Sequence, residues 1–227
     1  MKYLSCALIL GMSLLAGSLR AEEKPAAAEP PKAELPKADA EGWITLFNGK
    51  DLTGWTGDPE IWRVEKDYIS GKKEKQGWNS FLVFNYPFKN FVLDFKFILV
   101  DKKGNSGVQY RSWVKNWQKF VVAGYQADIG NGYWGSLYDE ANRGKLLFTS
   151  PKELANTIKT DDWNSFTVEA NGTKLKHTLN GQAAGEFDDT DEAKRKLEGI
   201  IALQYHAPGA FEIRFKDIKI KLLPDTK

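Results

Sequence analysis

A hydrophobic period of two constrains this chain more than any other feature. Phe91, Leu93, Phe95 and Phe97 alternate with Val92, Asp94, Lys96 and Ile98, and Phe211, Ile213 and Phe215 alternate with Glu212, Arg214 and Lys216. Successive side chains of a strand point to opposite faces, so each run presents one strongly apolar face to a core. Turn residues stand between the runs. Asn171-Gly172 separates Phe166–Ala170 from Lys174–Leu179 and is the pair that a type I′ hairpin favours; Asn180-Gly181 follows as a second turn. Lys103-Gly104-Asn105 turns the chain between Phe91–Val100 and Ser106–Ser112. Helical signals are few. Ser150-Pro151-Lys152-Glu153 has the form of a capping box with Pro at the first helical position, and Thr190 to Leu197, closed by Gly199, has the length of two surface turns. No internal repeat of solenoid or propeller spacing is present. The pattern predicts an all-β fold: an antiparallel β-sandwich of about ten or more strands, jelly-roll in type, with one or two short helices.

The ends of the chain read differently. Met1 to Ala21 carries Lys2, an apolar run from Leu4 to Ala16 and a small residue, Ala21, before Glu22. That is the layout of a secretory signal peptide, too short and wrongly flanked for a membrane span. Residues 22–40 are dominated by Ala, Glu, Lys and Pro and hold four of the nine prolines. Such a stretch buries too little apolar surface to offset its ordering entropy and is expected to be a disordered linker. Residues 41–227 remain as one domain, with all eight tryptophans between Trp43 and Trp163.

Removing the leader also changes the chemistry open to the protein. Lys2 and Arg20 are its only charges, so the formal net charge of +2 falls to zero. A neutral domain has no electrostatic reason to bind nucleic acid or anionic membrane. The one cysteine, Cys6, leaves with the leader, which excludes disulfides and thiol chemistry. Leu15-Ala16-Gly17 is followed by Ser18 rather than Cys, so a lipid anchor is not expected. The expected location is periplasmic or secreted.

Three strands carry a second face that is polar in a particular way. In Ser106–Ser112 the residues Gln109 and Arg111 oppose Val108 and Tyr110; in Ala123–Ile129, Gln126 and Asp128 oppose Tyr125, Ala127 and Ile129; in Gly199–His206, Ala202, Gln204 and His206 oppose Ile201, Leu203 and Tyr205. An ordinary solvated face holds Lys, Glu and Thr. Planar amide, guanidinium and carboxyl groups about 7 Å apart match the vicinal hydroxyls of a sugar. Trp134, Tyr133 and Tyr138 follow in and after a Gly-rich loop, where aromatic rings stack on the apolar faces of sugar rings. A plain polar outer face is the alternative.

Other chemistries fail on their own requirements. A retaining glycosidase on such a sandwich needs a carboxylate nucleophile where the chain has Gln126-Ala-Asp128, and an amide cannot serve. Glu186-Phe-Asp188 has a suitable spacing but reads as a solvated strand end. No Gly-x-Ser-x-Gly elbow, phosphate loop or dinucleotide fingerprint is present. Of the two histidines, His177 lies between Leu175 and Leu179 on one strand face and reads as core. His206, beside Gln204 and before Ala207-Pro208-Gly209, is the functional candidate. No cofactor is implied, while a divalent cation on a carboxylate-plus-His site with Asp128 or Glu140 stays open.

The opening Gly42-Trp-Ile-Thr-Leu-Phe-Asn-Gly-Lys-Asp-Leu-Thr-Gly-Trp55 resembles that of the 3-keto-disaccharide hydrolase domain family, whose fold is a concanavalin A-like lectin/glucanase sandwich. Asn105-Ser-Gly-Val-Gln-Tyr-Arg111, Gly124-Tyr-Gln-Ala-Asp-Ile129, Gly135-Ser-Leu-Tyr-Asp-Glu140, Leu179-Asn-Gly181 and the strand Phe211–Lys216 extend the resemblance over the whole domain. It implies cleavage of 3-keto-glycosides, made by a partner sugar 3-dehydrogenase, through elimination at C1–C2 and rehydration. On that resemblance Arg111 and Gln126 would bind the oxyanion and hydroxyls, His206 or Asp128 would be the base, and Tyr138, Glu140 or Arg143 would stand near the leaving group. One departure accompanies it: the family pattern has Glu at the place of Gln126 and Gln at that of Asp128. A non-catalytic carbohydrate-binding module on the same sandwich is the second reading, and a surface structural protein the third.

Overall fold

The computed structural model describes residues 29–225. The apolar leader and the first part of the linker lie outside them. Fifteen strands follow in chain order: β1 (Trp43–Thr45), β2 (Trp55–Thr56), β3 (Trp62–Glu65), β4 (Tyr68–Lys73), β5 (Ser80–Phe88), β6 (Phe91–Leu99), β7 (Asn105–Asn116), β8 (Val121–Gly130), β9 (Leu137–Glu140), β10 (Lys145–Phe148), β11 (Asn164–Asn171), β12 (Lys174–Leu179), β13 (Gln182–Asp188), β14 (Gly199–Tyr205) and β15 (Phe211–Leu222). They form two antiparallel sheets. The first runs β13-β12-β11-β6-β15-β4-β3, with β1 added on β15; the second runs β10-β9-β8-β7-β14-β5-β2. Neighbours distant in sequence, such as β6 with β15 and β7 with β14, give the crossovers of a jelly-roll sandwich.

The alternating residues do what their period requires. Phe91, Leu93, Phe95 and Phe97 of β6 and Phe211, Ile213 and Phe215 of β15 are buried in one core with Val108, Tyr110, Tyr125 and Leu203 from the facing sheet. Phe95 stacks on Phe166 at 5.2 Å between ring centroids. Each such ring contributes about 1.5–3 kcal/mol through removal of apolar surface from water. His177 also belongs here. It is fully buried between the Tyr110 hydroxyl at 2.9 Å and the Gly135 carbonyl at 3.0 Å, and burial pushes its pKa down to about 4.

Local details depart from expectation in three places. The β11–β12 loop is Gly172-Thr173, with Asn171 paired in the ladder and only Gly172 at positive φ, which is a type II′ pattern; the type I′ turn is Asn180-Gly181, with φ of +50° and +76°. The capping-box segment forms a short 3₁₀ helix, Lys152–Thr157, without a side-chain cap. Ser150 donates instead to the Trp134 carbonyl at 2.6 Å, so its hydroxyl is taken by tertiary structure. Thr190 to Leu197 holds turns rather than a helix, pinned by Tyr125 and Arg143.

The later part of the linker touches the domain. Residues 29–39 have no regular structure, but the Ala33 N–H donates to the Asn85 carbonyl at 2.8 Å, Asn85 Nδ2 donates to the Pro30 carbonyl at 2.9 Å, and Ala33 and Leu35 pack on the core. Among the described residues no helix is long and apolar enough to cross a membrane.

Candidate functional site

The outer face of the second sheet carries the polar residues of β7, β8 and β14. One row across it pairs Val83, Ala202, Gln109, Gln126 and Tyr138 from five successive strands. In the adjoining rows Gly107 lies opposite Asp128, and Gly124 opposite Glu140. Gly107 is required where it stands. A Cβ there would come within 2.6 Å of Gln126 Cγ, so only glycine lets Gln126 lie across β7.

Asn79, Asn105, Gln126, Asp128, Tyr133, Tyr138, Glu140, Leu146 and His206 line a pocket of about 450 Å³ on this face. That volume falls within the range of small-molecule sites. Asn79, in the loop before β5, bridges its wall: its Oδ1 accepts the Ala207 N–H at 3.1 Å, beside His206, and its Nδ2 donates to Glu140 Oε1 at 3.4 Å. Burial raises the Glu140 carboxyl above the usual range, opposed by Asn79, His206 and Lys115. Asp128 is pushed up to about 7, first by burial and then by Glu140, with the Gln126 amide acting against the shift. Two carboxyls thus share one weakly solvated pocket, and both hold protons more tightly than ordinary carboxylates.

A second groove of about 430 Å³ opens on the outer face of the other sheet, among Thr45, Asp94, Lys96, Asp217 and Lys219. Its charges are spent on one another, Lys96 with Asp217 at 2.8 Å and Lys219 with Asp94 at 4.0 Å. The first pocket therefore has the chemistry. Among the described residues no three or more His, Cys, Asp or Glu side chains form a group able to hold a metal ion.

The structure brings together Gln126, Asp128, Tyr133, Tyr138, Glu140 and His206 of the residues read from sequence, and separates the others. Arg111 leaves the polar face. Between Tyr110 and Trp113 the pairing with β8 slips, so Arg111 and Ser112 stand opposite Gly124 alone, and Arg111 takes φ +46°. Its buried guanidinium donates to the Lys89 carbonyl at 2.7 Å, the Gly172 carbonyl at 2.7 Å and Asn90 Oδ1 at 3.0 Å, tying two turns at one end of the sandwich. Arg111→Lys, which cannot reach all three acceptors, is expected to cost about 1–3 kcal/mol in urea unfolding while sugar affinity stays unchanged. Weakened binding in a stable variant would return Arg111 to the site.

Arg143 is likewise structural, enclosed by Asp139, Asp189 and Asp191. Trp134 is buried and stacks on Phe97 at 6.4 Å, so the exposed aromatic of that loop is Tyr133. Gln109 and Gln204 are fully buried beneath the face and do not line the pocket. The sequence reading missed Asn79 and Asn105 as wall residues. Asn105 begins the very segment that carries the resemblance; Asn79 sits in an unpatterned loop that nothing local marks.

A two-sheet jelly roll with a polar pocket on one outer face is the class of protein that this fold and site define. Within it, the chain belongs to the family described as the 3-keto-alpha-glucoside-1,2-lyase-like domain, which matches residues 42–221. A 3-keto-disaccharide hydrolase of Bacteroides thetaiotaomicron is 38% identical over 82 residues, which span 32% of this chain and 28% of that protein. Solved structures share the fold. A candidate glycosyl hydrolase from Parabacteroides distasonis superposes with a TM-score of 0.59 at 22% identity, covering 82% of this chain and 95% of the other. The carbohydrate binding module CBM66 of Bacillus subtilis does so with 0.58 at 16%, covering 77% and 99%.

Proposed function

We propose that this protein cleaves the glycosidic bond of 3-keto-glycosides by elimination and rehydration in the pocket of Asp128, Glu140 and His206. The observation that carries this reading is the meeting of Glu140 of β9 and His206, just after β14, across Asn79 in one pocket. A ketone at C3 acidifies the C2 proton, so the chemistry needs a base, hydrogen-bond donors for the C3 oxygen and a proton for the leaving oxygen. Glu140 is the base: burial raises its proton affinity above that of an ordinary carboxylate, which makes it the stronger proton acceptor. The electron pair left at C2 forms the double bond to C1 as the C1–O bond breaks. His206 or Tyr138 gives the departing oxygen its proton. Water then adds at C1 and a proton returns to C2. Asn79, Asn105 and Tyr133 supply donors for the sugar oxygens.

The substrate carries a ketone, so an oxidoreductase acting on sugar C3 must supply it. Met1–Ala21, read as a secretory leader, supports a periplasmic or secreted setting for this chemistry. Incubation with a 3-keto-glucoside, following release of 3-keto-glucose, tests the proposal. Turnover lost in His206→Ala is the expected result. Sugar binding without turnover, unaffected by His206→Ala, would instead make the domain a carbohydrate-binding module.

A further inference from the structure

The slip between β7 and β8 has an effect on the carboxyl of Asp128. At the slip, the carbonyl oxygens of Gly124 and Tyr125 lie 3.3 and 3.1 Å from one end of the Gln109 side-chain amide, with Ser112 Oγ at 2.9 Å. Gln109 has no exposed surface, so solvent cannot intervene. Two backbone acceptors at one end of a buried amide demand its amino group there. The Gln109 carbonyl end then faces the Gln126 amide at 2.7 Å, which must present its own amino group. Gln126 is thereby left with its carbonyl oxygen, and not the amino group that would oppose the shift, toward Asp128 Oδ1, 2.6 Å away. Two oxygens at that distance bond only through a proton, and an amide carbonyl has none to give.

We propose that Gln109 and Gln126 form a one-way amide relay that keeps Asp128 a neutral acid, leaving its second oxygen to accept a hydroxyl of the ligand and Glu140 as the pocket's ionising carboxyl. The relay is anchored in backbone at one end and open to the pocket at the other. Gln109 is thus a positioning residue acting through Gln126. The charged or titratable groups that share the pocket with Asp128 are Tyr133 from the loop before β9, Tyr138 and Glu140 from β9, and His206 after β14. A neutral Asp128 removes like-charge repulsion from Glu140, and burial acts in the same direction. The identity of the ligand rests on the function proposed above; the proton on Asp128 does not.

The test is a pH titration of the ligand-free protein by difference infrared spectroscopy, with Asp128→Asn identifying the Asp128 carboxyl band. The wild-type band is expected to show a protonated carboxyl well above the ordinary aspartate range. In Gln109→Met no amino group answers Gly124 and Tyr125, the Gln126 amide is free to turn its amino group toward Asp128, and the midpoint is expected to fall by about one pH unit or more. Where Gln109→Met does not fold, Gln126→Met removes the acceptor and reads the same shift. A wild-type Asp128 titrating like an ordinary carboxylate, or a midpoint unmoved in both variants, would overturn the relay even in an active enzyme. No sugar enters the experiment, so failure of the glycoside reading leaves its result standing.

Discussion

Arg143→Met is expected to cost about 3–5 kcal/mol of stability, because it strands two buried carboxylates at once. Arg143 Nη1 lies 2.9 Å from Asp139 Oδ2, and Nη2 lies 2.9 Å from Asp189 Oδ1; the three side chains are 5%, 0% and 3% exposed. Tyr125 donates to Asp189 from the other side, and Asp191 stands 3.4 Å from Nε. A surface ion pair would contribute little, but here water cannot replace the guanidinium. The urea midpoint should fall with the slope unchanged. Arg143→Met with Asp139→Asn and Asp189→Asn should recover part of the loss, since no unpaired charge then remains. A loss below about 1 kcal/mol for the single variant would show that the carboxylates find water or protons instead.

Glu140→Gln is expected to lower turnover of a 3-keto-glycoside by about 10²–10⁴-fold, the usual contribution of a positioned base, with sugar affinity retained. The shape of the pH profile is a sharper check. Glu140 must be ionised to abstract a proton, so activity rises with pH as its proton leaves. Burial holds that proton more tightly than in free glutamate, which moves the rising limb upward. Lys115 opposes this shift, so Lys115→Met should move the limb further up. A rising limb at the ordinary glutamate position, or one that persists in Glu140→Gln, would assign the base elsewhere.

The fold was legible because a strand's two faces are written locally. Phe91 to Phe97 and Phe211 to Phe215 needed only their period to be placed in a core, and Asn180-Gly181 only its tolerance of positive φ. Half of the site was legible for the same reason: Gln126 and Asp128 share a face because they stand two positions apart. Arg111 was not, because one extra residue at the slip turned its side chain toward the other sheet, and periodicity carries no mark of a bulge. Arg143 and Trp134 show a second limit. A polar or aromatic residue that serves a ligand has the same letter as one that serves a buried carboxylate or a core ring. Asn79 reaches Glu140 across 61 positions, and such a contact exists only after the sheet has closed.

The linker segment on β5 also bears on where this chain can be cut. β2 pairs only with Phe84 and Val83, and the Phe81 N–H is taken by the Phe120 carbonyl, so the backbone of β5 left over on that side is the stretch from Asn85 toward Phe88. Ala33 takes the Asn85 carbonyl, and Lys32 lies 4.8 Å over the Tyr86 ring. Residues 30–35 therefore act as a cover for a sheet edge. A chain begun at Glu41 would keep every strand and the whole pocket, yet offer that edge to a second molecule, and self-association through β5 is what its shortening should produce.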